Sequence, residues 1–246
     1  MQHSDKSGGM TAAEMADMGH TSSAGDRGFS KLANGKPEHR SMTLAVSKQD
    51  RRTLARQMEL ARQVALKYPT VADALVGGLR RAGPFSPGLG AHYINIGNAG
   101  GPPDGVLTDE WIGRPLAWIY DGTHPDSRVI GLFYAGSSTT PEGFAGPNDM
   151  WHAHKNVCVV YGADGIDAPL GADHDATEVQ CQRVGGQLIK ATQKLLHVWA
   201  VPGYESPEGV FSHLSSAITC DDGSYLTIKD VTKVGKRTTL CADGTE

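Results

Sequence analysis

From Gly90 onward, runs rich in β-branched and aromatic residues are short, and Gly, Pro and Asp separate them where helix-length segments would otherwise stand. The runs span residues 91–96, 115–121, 128–135, 151–161, 195–201 and 225–231. Successive parallel strands need crossovers of a dozen or more residues, usually helical. This spacing argues against a doubly wound α/β fold and predicts a mostly antiparallel sheet, or a barrel-like β domain. The 31 glycines and 13 prolines supply the turns that such a sheet needs.

Two helices precede the sheet, so the expected class is α+β. Ser47-Lys48-Gln49-Asp50 reads as a capping box. Behind it Leu54, Met58, Ala61, Ala65 and Tyr68 recur at helical spacing until Pro69 ends the run. A second helix is expected from Thr70, with Val71, Leu75 and Leu79 inward and a stop at Gly83-Pro84. Residues 177–194 read as a further short helix broken at Gly185-Gly186. A single α+β domain over residues 43–246 follows, preceded by residues 1–42. That leading stretch carries Phe29 and Leu32 as its large apolar residues besides methionine, too few to offset the entropy of ordering. It is expected to be a disordered tail. It also holds Met1, Met10, Met15, Met18 and Met42 with His3, His20 and His39, and thioether with imidazole suits copper.

Charge and cysteine usage narrow the setting. Lys+Arg number 23 against 27 Asp+Glu, a net charge of -4, and no basic run is dense enough to track a phosphate backbone. Nucleic acid is therefore excluded as a partner. No apolar run approaches the roughly 20 residues of a membrane span. The four cysteines lack C-x-x-C spacing. Cys158 with Cys181 and Cys220 with Cys241 each close a Gly/Asp-rich loop, and two disulfides are expected. They favour an oxidising, extracytoplasmic location, secreted or anchored through a segment outside this sequence.

The chemistry concentrates in histidines. In Trp151-His152-Ala153-His154, a strand places His152 and His154 on one face, where two neutral imidazoles can share a cation. His197 interrupts the apolar run Leu195-Leu196-His197-Val198-Trp199, and His92 lies in Ala91-His92-Tyr93-Ile94, another strand. A ring at either place needs a partner. His92, His152, His154 and His197 are therefore the candidate metal ligands, with ordinary hydrogen-bonded core histidines as the alternative. His124, His174 and His213 read as turn, loop and bend residues and are left out of the set. Glu142, Asp149 and Glu205 are the candidate catalytic carboxylates, on or beside Gly/Pro-bounded loops.

Two resemblances accompany these residues. Gly146, then five intervening residues and His152-x-His154, is similar to the first half of the cupin motif, whose barrel holds a metal between strands. Cys158 and Val159 follow where that family has a Glu, the second motif is missing, and the match covers under a tenth of the chain. A longer resemblance runs from Tyr68-Pro69-Thr70-Val71-Ala72-Asp73-Ala74 through Gly83-Pro84-Phe85-Ser86-Pro87-Gly88 and Ala91-His92-Tyr93-Ile94-Asn95. It continues in Trp151-His152-Ala153-His154 and His197-Val198-Trp199. This string resembles a group of uncharacterised exported bacterial proteins, which implies an extracytoplasmic location and no particular reaction.

The sequence thus favours a mononuclear metalloprotein, an enzyme using a histidine cluster on the sheet and acting as oxidoreductase or hydrolase on a small molecule. Copper is the favoured ion, with iron, zinc or manganese as the others that such ligands take. The competing expectations are a copper-handling protein without turnover and a ligand-binding domain with structural histidines.

Overall fold

The computed structural model describes residues 47–83, 85, 88–98, 101–102, 107–136, 143–162, 165–170, 176–207, 209–213, 215 and 217–218. The expected tail over residues 1–42 and the pair Cys220 and Cys241 lie outside these residues, as does the run 225–231. Helix α1, Lys48–Ala65, begins as its capping signal requires: Ser47 Oγ accepts the Asp50 N–H at 3.0 Å. Ala61 and Ala65 are buried, and Leu54 and Met58 pack against the same core. Helix α2, Val71–Val76, carries a complete capping box between Thr70 and Asp73. It is shorter than its apolar pattern predicts, because Gly77 and Gly78 turn the chain into strand β1, Arg80–Ala82. Leu79 is buried as expected, but Leu75 is exposed and Ala74 takes the inward position.

The remaining elements are β2, Ala91–Ile94; α3, Asp109–Ile112; β3, Ala117–Tyr120; β4, Val129–Ala135; and β5, Lys155–Gly162. They are followed by β6, Gly165–Leu170; α4, Glu178–Arg183; β7, Gln187–Ala191; and β8, Leu195–Val198. The strands form one sheet in the order β7-β5-β6-β1-β2-β3-β4-β8, antiparallel except where β1 runs parallel to β6. The class expected from the sequence, α+β with a mostly antiparallel sheet, is the one observed.

The pairings carry the sheet further than that order. Leu195 pairs with Ala135 of β4 on one side. On its other side it exchanges both backbone hydrogen bonds with His152, at 2.9 and 2.7 Å. His152 lies just ahead of β5, whose partner β7 leads into β8 after three residues. The last strand is thus joined both to β4 and to the chain entering β5, and the sheet closes on itself.

A closed sheet has an outer and an inner face, and cross-strand partners share a face. Tyr93, Trp118, Leu132 and Val198 form one row, which the helices cover. Trp118 Nε1–H donates to Val64 O of α1 at 3.0 Å, Tyr120 Oη–H to Tyr68 O at 2.8 Å, and Tyr134 Oη–H to Ile112 O of α3 at 2.9 Å. Each large aromatic so buries its ring and still satisfies its polar tip. Ile94, Ala117, Phe133 and His197 form a row on the opposite face, together with His92 and, beyond Ala135 and Leu195, His152. This inner face is where the histidines gather. Among the described residues, no helix is long and apolar enough to cross a membrane.

A second, small core surrounds the disulfide Cys158–Cys181, which ties β5 to α4 over Ala176, Val184 and Leu188. The expected helix over 177–194 is here a helix of six residues followed by β7, because Gly185 takes a positive φ of 72° and ends it. Gly186 then passes against the disulfide: a Cβ there would stand 2.5 Å from Cys158 Sγ and 3.0 Å from Cys181 Sγ. We expect Gly186→Ala to lower stability by about 1–3 kcal/mol, read as a reduced urea midpoint. An unchanged midpoint would show that the disulfide corner can move aside.

Candidate metal centre

His197 sits in β8 with all four residues of that strand buried. His152 is fully buried opposite Leu195, held by the backbone pairing that closes the sheet. The loop before it is fixed from two directions. Asp149, itself buried, accepts the Phe144 N–H at 3.0 Å and the Trp151 indole N–H at 3.2 Å through Oδ2. Gln57 of α1 accepts the Ala145 N–H at 2.8 Å. Gly143, at a φ of 67°, is required there because a Cβ would fall 1.9 Å from Asp149 Oδ2. The helix layer thereby sets the position from which His152 enters the interior.

The third ring comes from outside the sheet. Beyond β8 the chain loops back, and Trp199 fastens it: its backbone N–H donates to Val210 O at 2.9 Å and its indole N–H to Ser212 O at 2.8 Å. The Ser215 N–H donates to Gly88 O at 2.8 Å from the other side. Between these anchors lies buried His213. One nitrogen each of His152, His197 and His213 lie within 4.8 Å of one another, and among the described residues this is the group able to hold a metal ion. The rings of His152 and His213 have centroids 4.1 Å apart, and those of His152 and His197 stack at 5.2 Å with planes 5° apart.

The other two sequence candidates border this group. His92 on β2 is half-buried, with Nε2 3.3 Å from His197 Nε2. His154 is half-buried beside His152, ring centroids 5.1 Å apart, and its backbone N–H donates to Thr192 Oγ1 at 2.9 Å. The chain in this region is strand-like rather than a full strand, since β5 begins only at Lys155. Sequence reasoning left out His213. Its only signal is a polar ring between Phe211 and Ile218, two apolar residues whose burial draws the segment inward. His124, also left out, is exposed in a turn, and His174 lies outside the described residues.

The carboxylates are dispersed. Asp149 shapes the turn ahead of His152 through the two bonds above. Glu205 is exposed, and its Oε2 accepts the Gly203 N–H at 2.8 Å. Glu142 lies outside the described residues.

Burial sets the protonation of the cluster. Desolvation, reinforced by His213, holds His152 well below the usual imidazole range, and the same two causes hold His197 there. Desolvation, with His154 adding to it, brings His92 down to about 4. Neutral imidazoles are the form that coordinates a metal. His197 also has a buried Nδ1 with no hydrogen-bond partner among the described residues. That orphaned atom, in a group of three nitrogen donors, fits an imidazole-ligated ion. The chain matches no protein-family model, no curated protein and no solved structure.

A pH dependence follows from these directions. The unfolded chain takes up protons at these rings below about pH 6.5, whereas in the folded chain His92 resists until about pH 4 and burial holds His152 and His197 well below the usual imidazole range. Stability of the metal-free protein should therefore fall as pH drops from about 6.5 toward 4, with a slope of up to about 1.4 kcal/mol per pH unit for each buried ring. Urea unfolding at pH 7, 6 and 5 measures it. Stability unchanged across that window would mean that the rings take up protons as readily in the folded protein as in the unfolded chain.

Proposed function

We propose that this chain is an extracytoplasmic mononuclear metalloprotein in which His152, His197 and His213 hold one transition-metal ion, and that it acts as a metal-dependent enzyme on a small molecule. The observation that carries this reading is the approach of three buried imidazoles to within 4.8 Å on the inner face of the sheet. Three protein ligands leave a coordination position for water, dioxygen or substrate, the usual arrangement of a catalytic site as opposed to a structural one. The half-buried His92 and Phe133 border His197.

An all-nitrogen donor set suits copper, zinc or iron. The Met and His content of residues 1–42 favours copper. The Cys158–Cys181 disulfide supports an oxidising compartment. The same tail composition supports a second reading, metal handling without turnover, in which tail and centre both carry ions.

Metal analysis of full-length protein without a polyhistidine tag decides between them. One equivalent of metal is expected, lost in His152→Ala and in His213→Ala while the far-UV circular dichroism is kept. His124→Ala, at the exposed turn, should retain it. Azide should then perturb the visible spectrum of the copper-loaded protein by occupying the remaining position. Substituting the histidines and methionines of residues 1–42 separates the readings: unchanged stoichiometry favours the enzyme, and halved stoichiometry favours handling. Absence of stoichiometric metal in the unsubstituted protein would overturn both.

A further inference from the structure

His197 has two ring nitrogens in different surroundings. Its Nε2 lies 3.3 Å from His92 Nε2, with the two rings nearly perpendicular at 78°. Its Nδ1 is buried and meets no hydrogen-bond partner among the described residues. Two facing Nε2 atoms at that separation share one proton, since two lone pairs or two N–H groups would repel. His92 takes no part in the three-nitrogen group of His152, His197 and His213. Phe133 is seated against both rings, with centroids 4.6 Å from His197 and 5.0 Å from His92, and so fixes their relative placement.

The tautomers of His197 are not equivalent in these surroundings. If Nε2 met the ion, the remaining proton would sit on Nδ1, buried and without an acceptor. If Nδ1 meets the ion, the proton sits on Nε2 and points at a ring nitrogen at hydrogen-bonding distance. Metal-bound histidines are commonly held in this second way, by an acceptor on the nitrogen away from the metal.

We infer that His92 is the positioning residue of this centre, its Nε2 accepting the Nε2–H of His197 and so leaving His197 to meet the ion through Nδ1. This rests on the metal-binding reading above. It changes the role expected for His92 from ligand to orienting acceptor.

Zinc(II), a diamagnetic probe, allows a direct test on the full-length protein by nitrogen-15 NMR of labelled histidine. The zinc-loaded protein should show His197 with a protonated Nε2 and a metal-bound Nδ1. His92→Leu, which removes the acceptor, should weaken zinc binding roughly 10- to 100-fold. His92→Gln, which restores an acceptor oxygen, should recover most of that loss and keep the His197 tautomer. If His197 binds zinc through Nε2, or if Leu and Gln weaken binding equally, the positioning role is wrong while the metal centre stands. If the unsubstituted protein takes up no zinc, the metal reading itself fails and this inference falls with it.

Discussion

The two-sided pairing of Leu195 is the constraint on which the site depends. A strand with one partner is an edge, with unpaired groups open to water on the other side. Leu195 has Ala135 on one side and His152 on the other, and this closes the sheet. Closure gives the sheet an inside, and residues on alternate positions of β2, β4 and β8 then face a shared interior. Without the His152–Leu195 bridge, His152 and His197 would stand on an open face where water could solvate each ring separately.

The interior so formed is an expensive place for imidazoles. A buried polar group lacking a hydrogen bond costs roughly 1–3 kcal/mol, and His197 Nδ1 is such a group among the described residues. The fold offsets this cost with the packing around it. Trp199 stacks on His197 with centroids 5.8 Å apart, and its two N–H groups tie down the segment carrying His213. Asp149 and Gln57 fix the loop ahead of His152 from the core and from α1. The arrangement spends stability to hold neutral nitrogen donors together, and an ion bound by them would recover it, because binding to the folded state alone stabilises that state.

Local signals in the sequence account for much of this structure. The capping residues Ser47 and Thr70 start helices where their side chains indicate. The period-two spacing of His152 and His154 brings their rings side by side, and a histidine in an apolar run proves to lie at the centre of the group. What the sequence hides is long-range. The short strand β1 gains its place from β2 and from the parallel pairing to β6, not from any apolar pattern in Arg80-Arg81-Ala82. Leu75 looks inward by helical spacing but is exposed, because two glycines end the helix a turn early. His213 has no strand pattern around it at all. It reaches the centre through Trp199 and Gly88, contacts made by residues 14 and 125 positions away, which no local reading reveals.

One metal ion is proposed to bind among His152, His197 and His213. Anomalous X-ray diffraction from crystals of the tag-free protein, loaded with one equivalent of copper, tests it most directly. A single anomalous peak is expected about 2.0–2.1 Å from one nitrogen of each of these three rings, with His92 outside the coordination sphere. No peak there, or copper found only elsewhere on the chain, would contradict it.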